Sequence, residues 1–332
     1  MKRDIRIDAL RGLAILLIML AHTRPPQWLY ELRDFDVVLM TFILGASYCL
    51  SRERKKTKPY LLYLKERFMR LVIPAWTFLS LFFLLLFIFV ITTKQTFPFS
   101  FKSVLTSYSL TWGIGYIWII RVFFIIAILS PLLYWLANKA VSPSEKLSII
   151  GICLLLQAGL DVLSANLTGI SHTIFEQYIA ISFAYALAAL IGIWAVRQSK
   201  KENLILFSFF LALFFILAIY QNLPSIEGNK YPPTAYFISY GLAGSLLLFW
   251  LTSIRVIEQF LQKIPGIYWL SQHSLELYYW HLFPIMYLNL FVENDPWYLR
   301  FLIAFPIAFI LTILQSQFIP HFFNPKKALK SN

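Results

Sequence analysis

Two residues near the start of the chain are of the types that bind anions and transfer protons. Arg11 and His22 lie in or next to a mostly apolar stretch at about residues 9–23. Eleven residues make almost three turns of an α-helix, so both side chains share one face, about 16 Å apart. A guanidinium or an imidazole inside an apolar helix is costly, so such groups usually face a polar cavity or a pathway. The structural alternative is that Arg11 reaches to head groups while His22 ends the helix at an interface.

A second polar set precedes a long apolar stretch. Arg67 and Arg70 are three residues apart, so they share one face of a helix. Two guanidiniums on one face can bind a polyphosphate through forked hydrogen bonds. A positively charged anchor to anionic lipid is the simpler explanation of the pair taken alone.

A third set lies in the late apolar segment 271–292. Ser274, Tyr278 and His281 recur at the spacing i, i+4, i+7, which predicts one polar stripe on a helix. Any of these polar groups can also be structural and pair with another across a helix interface. Four further residues lie at the start or near the outer end of other apolar segments: Asp36, Trp118, Arg121 and Glu176. Together with the stripe they predict a polar interior.

The composition shows which elements must position these residues. The chain has 332 residues, of which 59% are hydrophobic and 14% charged, whereas soluble domains average about 45–50% apolar and about 25% charged residues. A membrane helix needs about 20 mostly apolar residues. The sequence therefore predicts an all-α polytopic membrane protein, a single domain over 1–332 with about ten transmembrane helices. The predicted spans are 9–23, 35–50, 71–93, 114–137, 147–164, 177–196, 203–226, 231–254, 271–292 and 301–325.

The formal net charge of +13 fits two explanations, a nucleic-acid partner or the Lys/Arg excess of cytoplasmic loops. With ten spans, the loops on the side of the termini hold 22 Lys and Arg. The loops on the other side hold 6, namely Arg24, Arg33, Lys94, Lys102, Lys230 and Arg300. This asymmetry predicts that both termini are cytoplasmic and that nucleic acid is not a partner. The five histidines and two cysteines are scattered without the spacing of a metal site, so no metal is predicted.

The chain resembles the acyltransferase-3 family, integral-membrane O-acyltransferases that commonly acetylate sugars of bacterial surface polysaccharides. Ten spans over nearly the whole length fit the membrane module of that family. The motifs that carry the resemblance are Asp8-Ala9-Leu10-Arg11-Gly12 followed by His22, then Arg67-x-x-Arg70 with Pro74, then Ser274-Leu275-Glu276-Leu277-Tyr278-x-x-His281.

The resemblance implies a multi-pass protein of the cell (inner) membrane that transfers acetyl from acetyl-CoA to a hydroxyl of a glycan or lipid-linked sugar. In this scheme His22 is the general base, with Arg11 and Asp36 as further catalytic candidates, and Arg67 and Arg70 bind the phosphates of CoA. A thioester already carries a good leaving group, so no metal is needed. The remaining pocket candidates are Trp118, Arg121, Glu176, Ser274, Tyr278 and His281.

Two other classes of protein compete with the enzyme. Buried Arg, His and Glu residues within ten helices would also suit a secondary transporter, although no inverted repeat or pair of broken helices is visible. A non-catalytic membrane scaffold would not need the polar stripe. Binding or turnover of acetyl-CoA discriminates the enzyme from both alternatives.

Overall fold

A computed structural model describes residues 4–54, 58–292 and 295–318. In these ranges the chain forms α-helices and short helical turns but no strand, as predicted. The predicted cytoplasmic location of the termini concerns residues 1–3 and 319–332, which lie outside the described residues. The helices are α1 Ile5–Ala21, α2 Gln27–Leu32, α3 Asp36–Arg54, α4 Tyr60–Thr93, α5 Phe101–Tyr108, α6 Trp118–Lys139, α7 Pro143–Asn166, α8 Gly169–Ile174, α9 Ile181–Ala195, α10 Lys200–Tyr220, α11 Ala235–Thr252, α12 Arg255–Lys263, α13 Ile267–Gln272, α14 Ser274–Phe291 and α15 Trp297–Phe318.

Each of the ten predicted spans overlaps a helix, although residues 319–325 of the last span lie outside the described residues, and the chain is a polytopic all-α membrane protein. Among the described residues, eight helical segments are long and apolar enough to cross a membrane: Gln27–Arg54, Tyr60–Thr93, Trp118–Lys139, Pro143–Asn166, Gly169–Ala195, Lys200–Tyr220, Ala235–Thr252 and Trp297–Phe318. The other two predicted spans are α1, with 17 residues, and α14, with 18. Their polar residues make both of them weaker apolar segments, and these residues are the ones that the sequence associated with chemistry.

Side-chain caps explain where two of the spans begin. The Ser142 hydroxyl accepts a hydrogen bond from the backbone of Glu145, whose carboxylate accepts one from the backbone of Ser142. The same capping box joins Ser199 and Glu202 at the start of α10. A capping box satisfies two backbone N–H groups that a helix start leaves unpaired, so α7 and α10 begin at defined residues.

The described residues divide into two compact units. The first contains residues from Met1–Ile18, Pro26–Thr57 and Ile125–Gln272, and the second contains residues from Met19–Pro25, Lys58–Phe124 and His273–Asn332. The prediction of a single domain over 1–332 stays a prediction.

Close approach of two helix backbones holds the centre of the first unit together. A Cβ added to Gly45 of α3 would lie 1.9 Å from the carbonyl oxygen of Ala189, and one added to Gly192 of α9 would lie 2.0 Å from that of Phe42. These reciprocal glycines let α3 and α9 pack backbone to backbone, as small residues do at membrane helix interfaces.

Aromatic packing joins α4 to α14 in the second unit. The Phe78 ring stacks on Tyr279 at 5.3 Å and meets Phe283 edge to face at 5.3 Å. Such aromatic pairs contribute about 0.5–1.5 kcal/mol beyond the area that they bury. Trp280 also donates its indole N–H to Gln315 of α15, at 2.9 Å. The middle of α14 is therefore fixed against its neighbours on two sides.

Candidate functional site

His22 and His281 form a hydrogen-bonded pair of imidazoles in the second unit. His22 follows the last residue of α1, and His281 is fully buried on α14. Nδ1 of His22 lies 2.8 Å from Nε2 of His281, and the ring planes are 8° from parallel. The sequence predicted both histidines as site residues, but 259 positions separate them, and no sequence signal predicted that they pair.

A backbone carbonyl determines which nitrogen of each ring carries the proton. Nδ1 of His281 lies 3.2 Å from the carbonyl oxygen of Leu277, which can only accept, so this nitrogen is the donor. In a neutral ring, Nε2 of His281 then has a lone pair and accepts from Nδ1–H of His22. The second nitrogen of His22, Nε2, consequently carries a lone pair. An imidazole in this form can take a proton from a hydroxyl group.

The hydrogen bond between the two histidines is made at the middle of α14. His281 is the eighth residue of that helix, which runs from Ser274 to Phe291. With 17 residues, α1 is shorter than the about 20 residues of a full span. His22, directly after the end of α1, therefore lies beside the eighth residue of an 18-residue helix.

Two tyrosines surround the histidine pair. The Tyr116 ring meets the His22 ring edge to face, with centroids 4.6 Å apart and an interplanar angle of 71°. Tyr278 lies 5.4 Å from His281 between ring centroids, and its hydroxyl donates to the carbonyl oxygen of Tyr116. The predicted polar stripe therefore brings Tyr278 and His281 to His22. Ser274 is the half-buried first residue of α14, two turns away from His281.

Arg11 lies in the first unit, and its guanidinium is bound by serines. Nη1 donates to Ser271 Oγ at 3.2 Å, and Nη2 donates to Ser47 Oγ at 2.6 Å. Ser271 in turn donates to the buried carboxylate of Asp8, at 2.7 Å. These contacts make Arg11 part of the packing between α1, α3 and α13 rather than a side chain that reaches for head groups. Its catalytic role stays a prediction.

Asp36 belongs to a buried group of four charges in the first unit. Its Oδ2 accepts from Arg33 Nη1 at 2.6 Å, and Lys230 Nζ donates to Asp34 at 2.5 Å. Burial lowers the pKa of Lys230, but nearby groups, among them Tyr231 and the carboxylates of Asp36 and Asp34, raise it well above its usual value. The two cations and two carboxylates balance one another. This arrangement favours a structural role for Asp36, and its predicted catalytic role is untested.

Arg67 and Arg70 lie on α4, as the sequence predicted. The Arg67 guanidinium carbon is 5.1 Å from the centroid of the Tyr63 ring, and Arg70 is exposed. The next residue, Leu71, accepts a hydrogen bond from the Tyr279 hydroxyl at 3.2 Å. Within the second unit, the basic pair on α4 is thus tied to α14 two residues before His281.

The remaining pocket candidates occupy two places. Trp118 and Arg121 are buried on the first turn of α6, and Arg121 Nη1 donates to the carbonyl of Leu110, at 3.1 Å. That contact holds the loop from which Tyr116 projects. Glu176 lies in a π-helical turn of the first unit, with its carboxylate 3.7 Å from His172 Nδ1.

Sequence reasoning missed Tyr116 and the polar residues behind it. Asn289 lies inside the predicted span 271–292, so the rule that flagged His281 would have flagged it too. Arg300 was counted as a loop charge, and Tyr116 falls inside the predicted span 114–137, where the structure has a loop before α6. In the described ranges, no group of three or more His, Cys, Asp or Glu side chains could hold a metal ion.

A comparison with known families assigns the chain. The family model described as an acyltransferase domain, that of acyltransferase-3, matches residues 4–317. The chain belongs to the acyltransferase-3 family. It is therefore a membrane acyltransferase, and the transporter alternative has no support from the comparison. No curated protein and no solved structure matches the chain.

Proposed function

We propose that this acyltransferase moves the acetyl group of acetyl-CoA to a hydroxyl of a glycan or lipid-linked sugar, with His22 as the general base. The observation that carries the proposal is the chain of hydrogen bonds from the Leu277 carbonyl through His281 to His22. It leaves a lone pair on Nε2 of His22. A sugar hydroxyl is a poor nucleophile near neutral pH, so a histidine in this form supplies what the reaction lacks.

The proposed reaction needs one base that later acts as an acid. Nε2 of His22 takes the proton of the acceptor hydroxyl as its oxygen attacks the thioester carbonyl carbon. The tetrahedral intermediate then expels the thiolate of CoA, which takes the proton back from the His22 imidazolium. The products are the acetyl ester and CoA, and His22 is neutral again.

The basic pair on α4 supports acetyl-CoA as the donor. Arg67 and Arg70 can bind phosphates through charge-assisted hydrogen bonds. The hydrogen bond from Tyr279 to Leu71 joins the residue after Arg70 to the same stretch of α14 as His281. We infer that the nucleotide binds at the start of the α4 span, while the pantetheine arm carries the thioester toward His22.

The glycan or lipid-linked acceptor and the location in the cell membrane follow from the family resemblance. Because His281 lies in the middle of α14, the acceptor hydroxyl has to enter the membrane-spanning part of the protein. The half-buried Tyr116 ring beside His22 is the kind of surface on which a sugar ring can stack.

The proposal is tested with native membranes that contain the protein and acetyl-CoA labelled in the acetyl group. We expect label to enter the glycan or lipid fraction, and we expect His22→Ala to reduce this rate by about 10²–10⁴-fold. His172→Ala, on the half-exposed histidine of α8, is the matched control and should keep the wild-type rate. Near-wild-type transfer by His22→Ala would refute the assignment of the base. An absence of transfer from acetyl-CoA by the wild-type protein would refute the donor.

A further inference from the structure

Tyr116 is held at both of its ends beside His22. Its backbone carbonyl accepts a hydrogen bond from the hydroxyl of Tyr278, and its own hydroxyl accepts one from Asn289 Nδ2, at 2.9 Å. Between these two anchors, its ring meets His22 edge to face, with 4.6 Å between centroids. The ring therefore has a defined place against His22.

The anchor at the hydroxyl leads to a buried ion pair. Asn289 Oδ1 accepts from Arg300 Nη1 at 2.5 Å, and Arg300 also donates from Nε to Asp295, at 2.7 Å. A guanidinium can only donate, so the amide oxygen of Asn289 must face Arg300 and its NH₂ group must face Tyr116. Arg300 is 3% exposed, which makes this order of donors and acceptors costly to rearrange.

We propose that Tyr116 is a positioning residue for His22 in the acetyl transfer, held in place by Asn289 and Arg300. This inference rests on the proposed function. The hydrogen bond to His281 fixes one nitrogen of His22 but does not by itself set the plane of the ring. The Tyr116 ring, at 71° to the His22 plane, blocks rotation of the imidazole and so directs Nε2.

A small error of direction is enough to slow the reaction. A mutation far from the reacting atoms that displaces a catalytic group by about 1 Å can reduce the rate by about 10²-fold. Without the Asn289 anchor, the Tyr116 ring keeps its contact area but loses its fixed orientation. Arg67 and Arg70, the residues proposed to bind acetyl-CoA, lie on a different element, α4, so the affinity for acetyl-CoA should not change.

The experiment compares Tyr116→Phe, Asn289→Leu and the double variant in membranes supplied with labelled acetyl-CoA. Each single variant should lower kcat for acetyl transfer about 10-fold, at an unchanged KM for acetyl-CoA. The double variant should be no slower than the slower single variant, because both remove the same hydrogen bond. Tyr287→Phe is the control, because Tyr287 is an exposed tyrosine of α14, the helix that carries Asn289. It should keep the wild-type kcat.

The possible outcomes separate this inference from the proposed function. If wild-type protein transfers acetyl and His22→Ala does not, a wild-type kcat in Tyr116→Phe would refute the positioning role alone. Multiplicative losses in the double variant would also refute it, because they would show that Asn289 acts independently of Tyr116. A rise in KM at unchanged kcat would instead place Tyr116 in the binding of acetyl-CoA and overturn the inference.

Discussion

Replacement of His281 tests whether the order of protons in the histidine pair matters for transfer. Loss of its Nε2 acceptor leaves Nδ1–H of His22 without that partner, and an unsatisfied buried group costs about 1–3 kcal/mol. Expressed as a rate, this is about 5- to 150-fold. If His22 moves its proton to Nε2, the base is lost, and an error of tautomer of this kind costs up to about 10⁴-fold. We therefore expect His281→Leu to lower kcat by at least about 10-fold.

Two amide variants separate the acceptor from the shape of the side chain. The amide group of glutamine reaches the position of Nε2, so His281→Gln can still accept from His22 through its oxygen. The amide of asparagine reaches only the position of Nδ1, so His281→Asn can keep the bond to Leu277 but not the bond to His22. The expected order of kcat is wild type, then Gln, then Asn and Leu together.

The assay is transfer of labelled acetyl to the glycan or lipid fraction, normalised to the amount of folded protein. Trp280→Phe, which removes the neighbouring hydrogen bond to Gln315, controls for a general loosening of α14. Equal rates for the Gln and Leu variants would refute the reasoning, because the acceptor would then have no effect on the rate. A loss in Trp280→Phe as large as that in His281→Leu would assign the effect to packing.

Three further predictions follow from other parts of the chain. Substitution of both Arg67 and Arg70 by Gln should raise the KM for acetyl-CoA more than it lowers kcat; an unchanged KM would leave the pair as a lipid anchor. Gly45→Ala should destabilise the purified protein by about 1–3 kcal/mol or more in thermal unfolding, because the added Cβ would lie 1.9 Å from a carbonyl oxygen. Gly159→Ala, which has nothing within 4 Å of its Cβ, is the control, and equal melting temperatures would contradict the close approach. In sealed vesicles, acetyl-CoA should support transfer only from the cytoplasmic face, and equal transfer from both faces would contradict a cytoplasmic donor site.

The sequence predicted the helices well because apolar length alone identifies a membrane span. Two predicted spans, α1 and α14, are not among the eight long apolar segments; His22 directly follows α1, and His281 lies on α14. Polar residues lower the apolar character of a helix, so the spans that hold the candidate site are the hardest to identify from apolar length.

Contacts between distant segments could not be predicted in the same way. Asp36 was taken for a site residue because a carboxylate at a span is costly, but its partner Arg33 lies in a neighbouring turn that was counted as a loop charge. Lys230, nearly 200 positions later, was also counted as a loop charge, yet it is buried against Asp34. A single sequence does not show which charged loop residues become buried, because their burial depends on the packing of helices that are far apart in the chain.

The bond between His281 and Leu277 has a consequence for motion. Leu277 lies four residues before His281, so its carbonyl is also the one that the backbone N–H of His281 meets in a regular helix. A carbonyl oxygen has two lone pairs, and one helical turn thus contains both the histidine and the group that fixes its proton. Neighbouring helices can shift when substrates enter or leave without changing this local order, provided that α14 stays helical. The 2.8 Å contact with His22 joins two separate elements and is exposed to such movements, so in the proposed mechanism a rearrangement that stretches it would switch the base off and its return would switch it on.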